Sequence, residues 1–173
     1  MGASTAMSAR PEPMIRLEPM SESDFRESLR RSIPLHAADY VRRGLWTEEA
    51  SLAAMEKEFA QLLPDGRHTR DRHFAKVIDS ESGHPVGETW YLVQERGGKV
   101  RFWVDWIFIE PGYRRQGYAT AAFRRLEDEA RRQGADRIGL TVWSDNPGAV
   151  ALYAKLGYTP ATMWMMKLLE ARA

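Results

Sequence analysis

The chain has 173 residues, of which 43% are hydrophobic and 28% are charged, with 25 basic side chains against 24 acidic ones. This length favours a single domain with one core, and the apolar content excludes a disordered chain. The formal charge of +1 gives no global attraction to nucleic acid or to an anionic membrane. The absence of cysteine excludes disulfides, thiolate metal sites and an acyl-cysteine intermediate.

The first residues differ from the rest of the chain. We expect residues 1–13 to form a flexible leader and residues 14–173 to form one domain. No apolar run approaches the roughly 20 residues that a membrane span needs, and the start lacks the apolar stretch of a secretory signal. The prediction is a cytoplasmic protein with neither nucleic acid nor membrane as a partner.

The N-terminal part predicts a strand followed by broken helices. Residues 14–20 alternate as a strand that stops at a proline. Ser21 and Asp24 then resemble a capping box. Pro34 lacks an amide hydrogen, so we expect it to interrupt this helix and to leave a short second piece over residues 35–43.

A further amphipathic helix is predicted between Thr47 and Pro64. Gly44 ends the preceding helix, and Thr47 can cap the new one. The predicted apolar face consists of Leu52, Met55, Phe59, Leu62 and Leu63.

After residue 72 the period changes from 3.6 to 2, which indicates strands. Three are predicted, over residues 73–79, 86–94 and 100–109. Gly97 and Gly98 can adopt the positive φ that a tight hairpin between the last two requires.

The C-terminal part alternates helix and strand. Its predicted elements are a helix closed by Gly134, a strand over 138–142, a helix from Asn146 to Gly157 and a last strand over 163–168.

The segment from Ile109 to Thr120 places a glycine-containing turn between a buried strand and a helix. The first amides of a helix have no internal partner and lie at the positive end of its dipole, so they bind anions. Gly117 lets the backbone approach a ligand, and the helix start carries Arg114 and Arg115 with no acid between them and Glu127. A solvated basic loop explains the segment equally well, whereas P-loop and three-glycine dinucleotide motifs are absent.

A second segment runs from Asn146 to Tyr158 and predicts a short capped helix. Tyr153 lies on its apolar face, where a core tyrosine with a solvated hydroxyl is the structural alternative to a functional one. Arg114-x-x-Gly117-x-Ala119 and this second segment together resemble the GNAT superfamily of acetyl-CoA-dependent N-acetyltransferases. The resemblance covers roughly residues 14–169. It implies a mixed α/β GNAT fold, with a mostly antiparallel twisted sheet of about six to seven strands, flanking helices and a splayed cofactor cleft.

The resemblance also implies a set of acetyl-CoA contacts. Backbone groups of the fourth strand would meet the pantetheine arm, amides of the loop would hold the diphosphate, and the late helix would face the sulfur. The residues concerned are Ile107, Phe108, Ile109, Arg114, Arg115, Gln116, Gly117, Tyr118, Ala119, Thr120, Asn146, Ala149 and Tyr153.

Acetyl transfer to an amine needs a base, an oxyanion site and a proton for the thiolate. Tyr153 is the expected proton donor. Asp105 is the preferred base. We expect its side chain on the same face of the strand as that of Ile107, unless a β-bulge reverses the face. A structural acid bound by the backbone or by an arginine is an equal alternative. Glu88 is the second candidate, and Glu110 is expected to be a solvated loop residue.

The function expected from these residues is acetyl transfer from acetyl-CoA to a primary amine by direct attack. The acceptor, whether a protein, a peptide or a small molecule, stays open. The histidine spacing suits no metal site, so no metal is predicted. A non-catalytic acyl-CoA sensor and a nucleotide-binding regulator are the alternatives. The Met-rich last strand makes a homodimer plausible.

Overall fold

The computed structural model describes residues 12–167 and 169, and the predicted leader, except for its last two residues, lies outside them. The residues up to Thr141 form one compact unit, and those from Val142 form a second. Among the described residues, no helix has both the length and the apolar character to span a membrane. The helices and strands are β1 (Ile15–Pro19), α1 (Glu22–Arg42), α2 (Glu48–Leu62), β2 (Arg72–Asp79), β3 (Pro85–Arg96), β4 (Lys99–Ile109), α3 (Tyr118–Arg132), β5 (Ile138–Leu140) and α4 (Pro147–Lys155).

The first unit is built on one sheet whose five strands follow chain order. Strands β1 to β4 are antiparallel neighbours, whereas β5 runs parallel to β4. Helices α1 and α2 cover one face of the sheet, with Phe25 and Met55 packed into the same core cluster as Phe74 and Trp90. Helix α3 covers the other face, where Ala122 packs with residues of β2 and β3. The mixed α/β fold is thus confirmed.

The sheet has fewer strands than the six to seven predicted. Residues 163–167 form no strand, and residue 168 lies outside the described residues. Met163 is 78% exposed and its neighbour Trp164 is 72% exposed, so neither face of this segment is buried. Strand propensity reflects packing on a pleated surface rather than an intrinsic backbone preference. An apolar sequence alone therefore did not make this segment a strand.

Helix α1 continues through Pro34, so the predicted interruption is wrong. Proline removes one helical hydrogen bond, but the residues on both sides of it are anchored in one place. Phe25 before the proline and Ala37 after it are buried in the same core cluster. Tertiary packing of the two halves outweighs the local cost of proline. The predicted capping box of Ser21 and Asp24 is present at the start of the helix.

The apolar face of α2 is narrower than the sequence pattern predicts. Met55, Phe59 and Leu63 are buried against the sheet. Leu52 is 47% exposed and Leu62 is 40% exposed, so these two do not belong to the core. A helix that packs on one face of a sheet buries only the stripe of residues that faces the sheet. Residues at the edges of that stripe stay in contact with solvent.

Strand β4 contains a β-bulge. Trp106 pairs with Trp90 and Val104 pairs with Tyr91, so Asp105 is the extra residue on this strand. Strand β5 pairs with β4 only from Phe102 to Val104. From Asp105 onward, the edge of β4 has no β5 partner among the described residues. This open edge agrees with the predicted splay of the sheet.

Candidate active site

The turn after β4 is held by its own side chains. Its first residues form a 3₁₀ turn over Pro111–Tyr113. Arg114 Nε donates to the carbonyl of Ile109 over 2.8 Å, and Gln116 Nε2 donates to the carbonyl of Gly112 over 2.8 Å. These two predicted cofactor residues therefore use their side chains to fix the turn, and the backbone amide of Arg114 also donates to the carbonyl of Pro111 over 3.3 Å.

Two residues just before helix α3 have left-handed backbone. Gly117 is the N-cap residue with φ of +93°, and Arg115 has φ of +61°. A non-glycine residue in this region is uncommon and occurs most often at functional sites. Within residues 12–167, the amides from Arg115 to Thr120 have no hydrogen-bond acceptor, and the first turn of α3 contains no acid. The result is a row of unsatisfied donors at the positive end of a helix.

Two residues at the start of α3 lie close to other parts of the first unit. The hydroxyl of Tyr118 donates to Asp79 Oδ2 over 2.9 Å, so this side chain is tied to the end of β2. At Gly117 an added Cβ would lie 3.0 Å from Cδ of Pro13. The glycine is therefore needed for its backbone conformation and also because there is little room for a side chain.

The second unit contains the late helix α4. Asn146 caps it, because its Oδ1 accepts from the amide of Ala149 over 3.1 Å. Tyr153 is only 9% exposed, and burial raises the pKa of its phenol above the ordinary value. The ring centroid of Tyr153 is 5.9 Å from that of Tyr158. The phenol is therefore protonated at neutral pH, which a proton donor requires.

Asp105 lies on the face opposite to the one predicted. Its carboxylate contacts the guanidinium of Arg72. Arg72 is two positions before Phe74 on β2, so both lie on the face of the sheet that α1 covers. Ile107, by contrast, packs on the α3 face. The bulge places Asp105 and Trp106 on one side, which is the reversal that a bulge permits. Burial raises the pKa of the Asp105 carboxyl, and Arg72 lowers it in part.

Glu88 is the centre of a buried polar cluster on the same face. It is 6% exposed, and both carboxylate oxygens accept hydrogen bonds. Ser28 Oγ donates to Oε1 over 2.7 Å and Trp106 Nε1 donates to the same atom over 2.9 Å. Arg31 Nη1 donates to Oε2 over 2.9 Å. A buried carboxylate needs such compensation to remain ionised.

Arg31 connects Glu88 to the end of β4. Its Nη2 lies 3.1 Å from the carboxylate of Glu110, which is therefore ion-paired rather than merely solvated as predicted. The guanidinium carbons of Arg31 and Arg114 lie 4.9 and 5.3 Å from the ring centroid of Phe108. Phe108 thus carries two arginines beside the open edge of β4.

The histidines do not gather around an ion site. The ring of His36 lies against that of Trp106, with centroids 4.9 Å apart and planes tilted by 44°, and burial lowers the pKa of its imidazole. Among the described residues, no group of three or more histidine and carboxylate side chains has the arrangement of a metal site.

Comparisons with known proteins match this architecture. The profile described as Acetyltransferase (GNAT) family matches residues 36–158. The chain belongs to the GNAT acetyltransferase family. It is 28% identical to the uncharacterized N-acetyltransferase YdgE of Bacillus subtilis, over 88% of this chain and 97% of that protein. Identity to the uncharacterized N-acetyltransferase YycN of the same organism is 31%, over 90% and 99%.

Two further likenesses have different reach. The crystal structure of YycN from Bacillus subtilis, described as a putative acetyltransferase, superposes with a TM-score of 0.85 and 27% identity, over 91% of this chain and all of that one. The [ribosomal protein bS18]-alanine N-acetyltransferase of Escherichia coli is 39% identical, but over only 33% of this chain and 38% of that protein. The first relative covers the whole GNAT fold, and the second covers a part of it.

Within this GNAT acetyltransferase, the structure groups the predicted residues of the first unit in two places. Residues 107–120 form the end of β4 and the start of α3. Asp105 and Glu88 lie on the α1 face of the sheet, each with an arginine partner. Those partners, Arg72 and Arg31, are not among the residues predicted from the sequence. Arg31 follows Glu27 by four positions in a helix, so from the sequence it resembles an exposed residue of a surface ion pair.

Proposed function

We propose that this GNAT protein transfers an acetyl group from acetyl-CoA to a primary amine by direct attack. The observation that supports the proposal is the start of α3, where the amides of residues 115–120 have no acceptor among the described residues and no acid occupies the first turn. A diphosphate placed there satisfies several donors at once, and each charge-assisted bond contributes about 1.5–3 kcal/mol. Arg114 and Arg115 add positive charge beside it.

The other cofactor contacts follow the strand and the late helix. The open edge of β4 offers the backbone of Ile107, Phe108 and Ile109 to the pantetheine arm and the thioester carbonyl. Asn146 and Ala149 would contact the pantetheine region from α4. In this proposal both compact units are parts of one acetyltransferase domain over residues 14–173; the family match over residues 36–158, which includes residues of both units, supports it.

The chemistry requires two proton transfers. The amine nitrogen attacks the thioester carbon, a C–N bond forms, and the C–S bond breaks. Backbone amides of β4 stabilise the oxyanion. Tyr153 donates its proton to the departing thiolate, and a carboxylate takes the proton that the amine loses. No covalent enzyme intermediate is needed, in line with a chain that contains no cysteine.

Asp105 remains the preferred base. Burial raises the pKa of Asp105 toward the range where a base is effective, and the guanidinium of Arg72 donates to its carboxylate. Glu88, the second candidate, already accepts three hydrogen bonds, so both of its oxygens are engaged by side chains of the protein. We assign to Glu88 a structural role beside the site. Glu110 shares this role, because its carboxylate pairs with the same arginine, Arg31.

The acceptor is an amine whose identity the proposal leaves open between a protein or peptide and a small molecule. The partial likeness to a ribosomal-protein alanine acetyltransferase places N-terminal alanine peptides on the test panel. We place the protein in the cytoplasm, without nucleic-acid or membrane partners and without a metal cofactor. The exposed Met163 and Trp164 keep a homodimer in the proposal.

Thiol release from acetyl-CoA over a panel of peptides, polyamines and amino sugars tests the proposal. At least one amine should raise the rate of thiol release well above hydrolysis, and the product should contain one acetyl group by mass spectrometry. A chain that binds acetyl-CoA but turns over no member of the panel would instead be a sensor, and an enzyme-bound acetyl group passed on to the amine would refute direct attack.

A further inference from the structure

A cavity of about 330 Å³ lies at the edge of the sheet in the first unit, and no residue of the cofactor loop lines it. It exists because β1 is shorter than β2. Strand β1 ends at Pro19, which pairs with Ala75, so Arg72 to Phe74 have no β1 partner in this register. The 3₁₀ turn Gly66–His68 and the C-terminal half of α3 border the gap.

The cavity is strongly cationic for a chain with a formal charge of +1. Arg67, Arg72, Arg125 and Arg132 line it from three separate elements. The single acidic lining residue is Glu129. Guanidinium groups that converge from different elements favour an oxyanion, because their planar donors match carboxylate and phosphate geometry.

Part of this donor capacity is unused. Arg125 has no ion pair or hydrogen bond within residues 12–167. Arg67 Nη1 donates to the carbonyl of Met20 over 3.3 Å, but its Nε is buried without a hydrogen-bond partner, with the carboxylate of Glu22 3.6 Å away. Arg72 and Arg132 already contact carboxylates. The guanidinium of Arg125 and the Nε of Arg67 therefore remain available for an external acceptor.

The rest of the lining is apolar or aromatic. Leu17, Phe74 and Ala75 contribute carbon surface. The rings of His73 and Tyr91 stack with centroids 4.9 Å apart and 12° between their planes. Burial raises the pKa of Tyr91 to about 12, so its hydroxyl stays protonated and can donate. A bare inorganic anion would leave this surface uncovered.

We propose that the cavity is a second ligand site, distinct from the coenzyme A contacts of the loop after β4, which binds a small organic oxyanion with an aromatic or apolar body. Its volume is at the lower end of the range of small-molecule pockets. The head group is a carboxylate or a phosphate monoester, held by Arg125 and Arg67. The body of the ligand lies against Tyr91 and the sheet edge.

Three probes of similar size separate the head groups. Phenyl phosphate and phenylacetate carry an oxyanion, whereas benzyl alcohol carries none. Isothermal titration should give saturable binding of at least one anion and at least about tenfold weaker binding of the alcohol. The ring protons of His73, one of four histidines in the chain, should shift in the same titration. Equal binding of the alcohol would overturn the oxyanion assignment.

Helix α3 offers matched controls for the arginines. The double variant Arg125→Gln with Arg132→Gln removes two lining charges, whereas Arg124→Gln with Arg131→Gln removes two charges from the same helix outside the cavity. The first should weaken anion binding at least about tenfold, and the second should leave it within about twofold. Equal losses in both variants, or displacement of the probe by saturating coenzyme A, would overturn a separate site.

Discussion

Removal of the Glu88 carboxylate should destabilise the protein in a graded way. Glu88→Ala leaves the Ser28 hydroxyl and the Trp106 indole without their buried acceptor. Loss of one member of a buried ion pair costs about 3–5 kcal/mol. Arg31 keeps the carboxylate of Glu110 at 3.1 Å, so its own charge stays partly compensated. We therefore expect a loss of about 4 kcal/mol in the free energy of unfolding.

Glu88→Gln should cost about half as much, roughly 2 kcal/mol, because the amide oxygen still accepts from two of the three donors but without the charge. Glu110→Gln is the control. Its carboxylate is half-buried on a loop and pairs with the same arginine, so its loss should cost below about 1 kcal/mol.

Urea unfolding of the three variants at pH 7 measures these differences, and each kcal/mol should lower the melting temperature by about 2–4 °C. The same preparations should be assayed for turnover. If Glu88 supports the site, Glu88→Gln keeps the wild-type pH profile. A loss from Glu110→Gln that equals the loss from Glu88→Ala would refute the structural reasoning, and disappearance of the acidic limb in Glu88→Gln would make Glu88 the base.

Three further predictions concern the acetyl-transfer site. Asp105→Asn should lower kcat about 10²–10⁴-fold, and Arg72→Gln should shift the acidic limb of the pH–rate profile to higher pH, because Arg72 lowers the pKa of Asp105; an unchanged limb would contradict the base assignment. Gly117→Ala should raise the KM for acetyl-CoA at least about tenfold, whereas Gly134→Ala, with a similar positive φ at the other end of α3, should cost stability but leave KM unchanged. Tyr153→Phe should lower kcat about 10²-fold or more with KM and melting temperature little changed, and equal kcat values would exclude the phenol as the proton donor.

Features with a local cause were predictable from the sequence. The capping box of Ser21, the positive φ of Gly97 and Gly98 in the hairpin, and the Asn146 cap all depend on residues a few positions apart. The glycine at the start of α3 belongs to the same class, since Gly117 adopts the left-handed conformation that its position requires. Such signals identify element ends because capping and turn chemistry act over short distances.

Features that depend on distant contacts were not predictable. The continuity of α1 through Pro34 follows from core packing on both sides of the proline. The partners Arg31 and Glu88 are 57 positions apart, and nothing in either local sequence indicates the other. The bulge that turns Asp105 toward Arg72 arises where β4 pairs with β3. One extra residue in β4 reverses the face on which the residues beyond it lie, compared with a regular strand.

The proposed function depends above all on the unsatisfied amides at the start of α3. Amide-resolved NMR during a titration with coenzyme A examines these amides individually, because each residue from Arg115 to Thr120 gives its own signal. The largest saturable shifts should occur at these six amides, and Gly117→Ala should weaken the whole set together. Saturable binding that leaves these amides unshifted, while residues elsewhere respond, would contradict the proposed function.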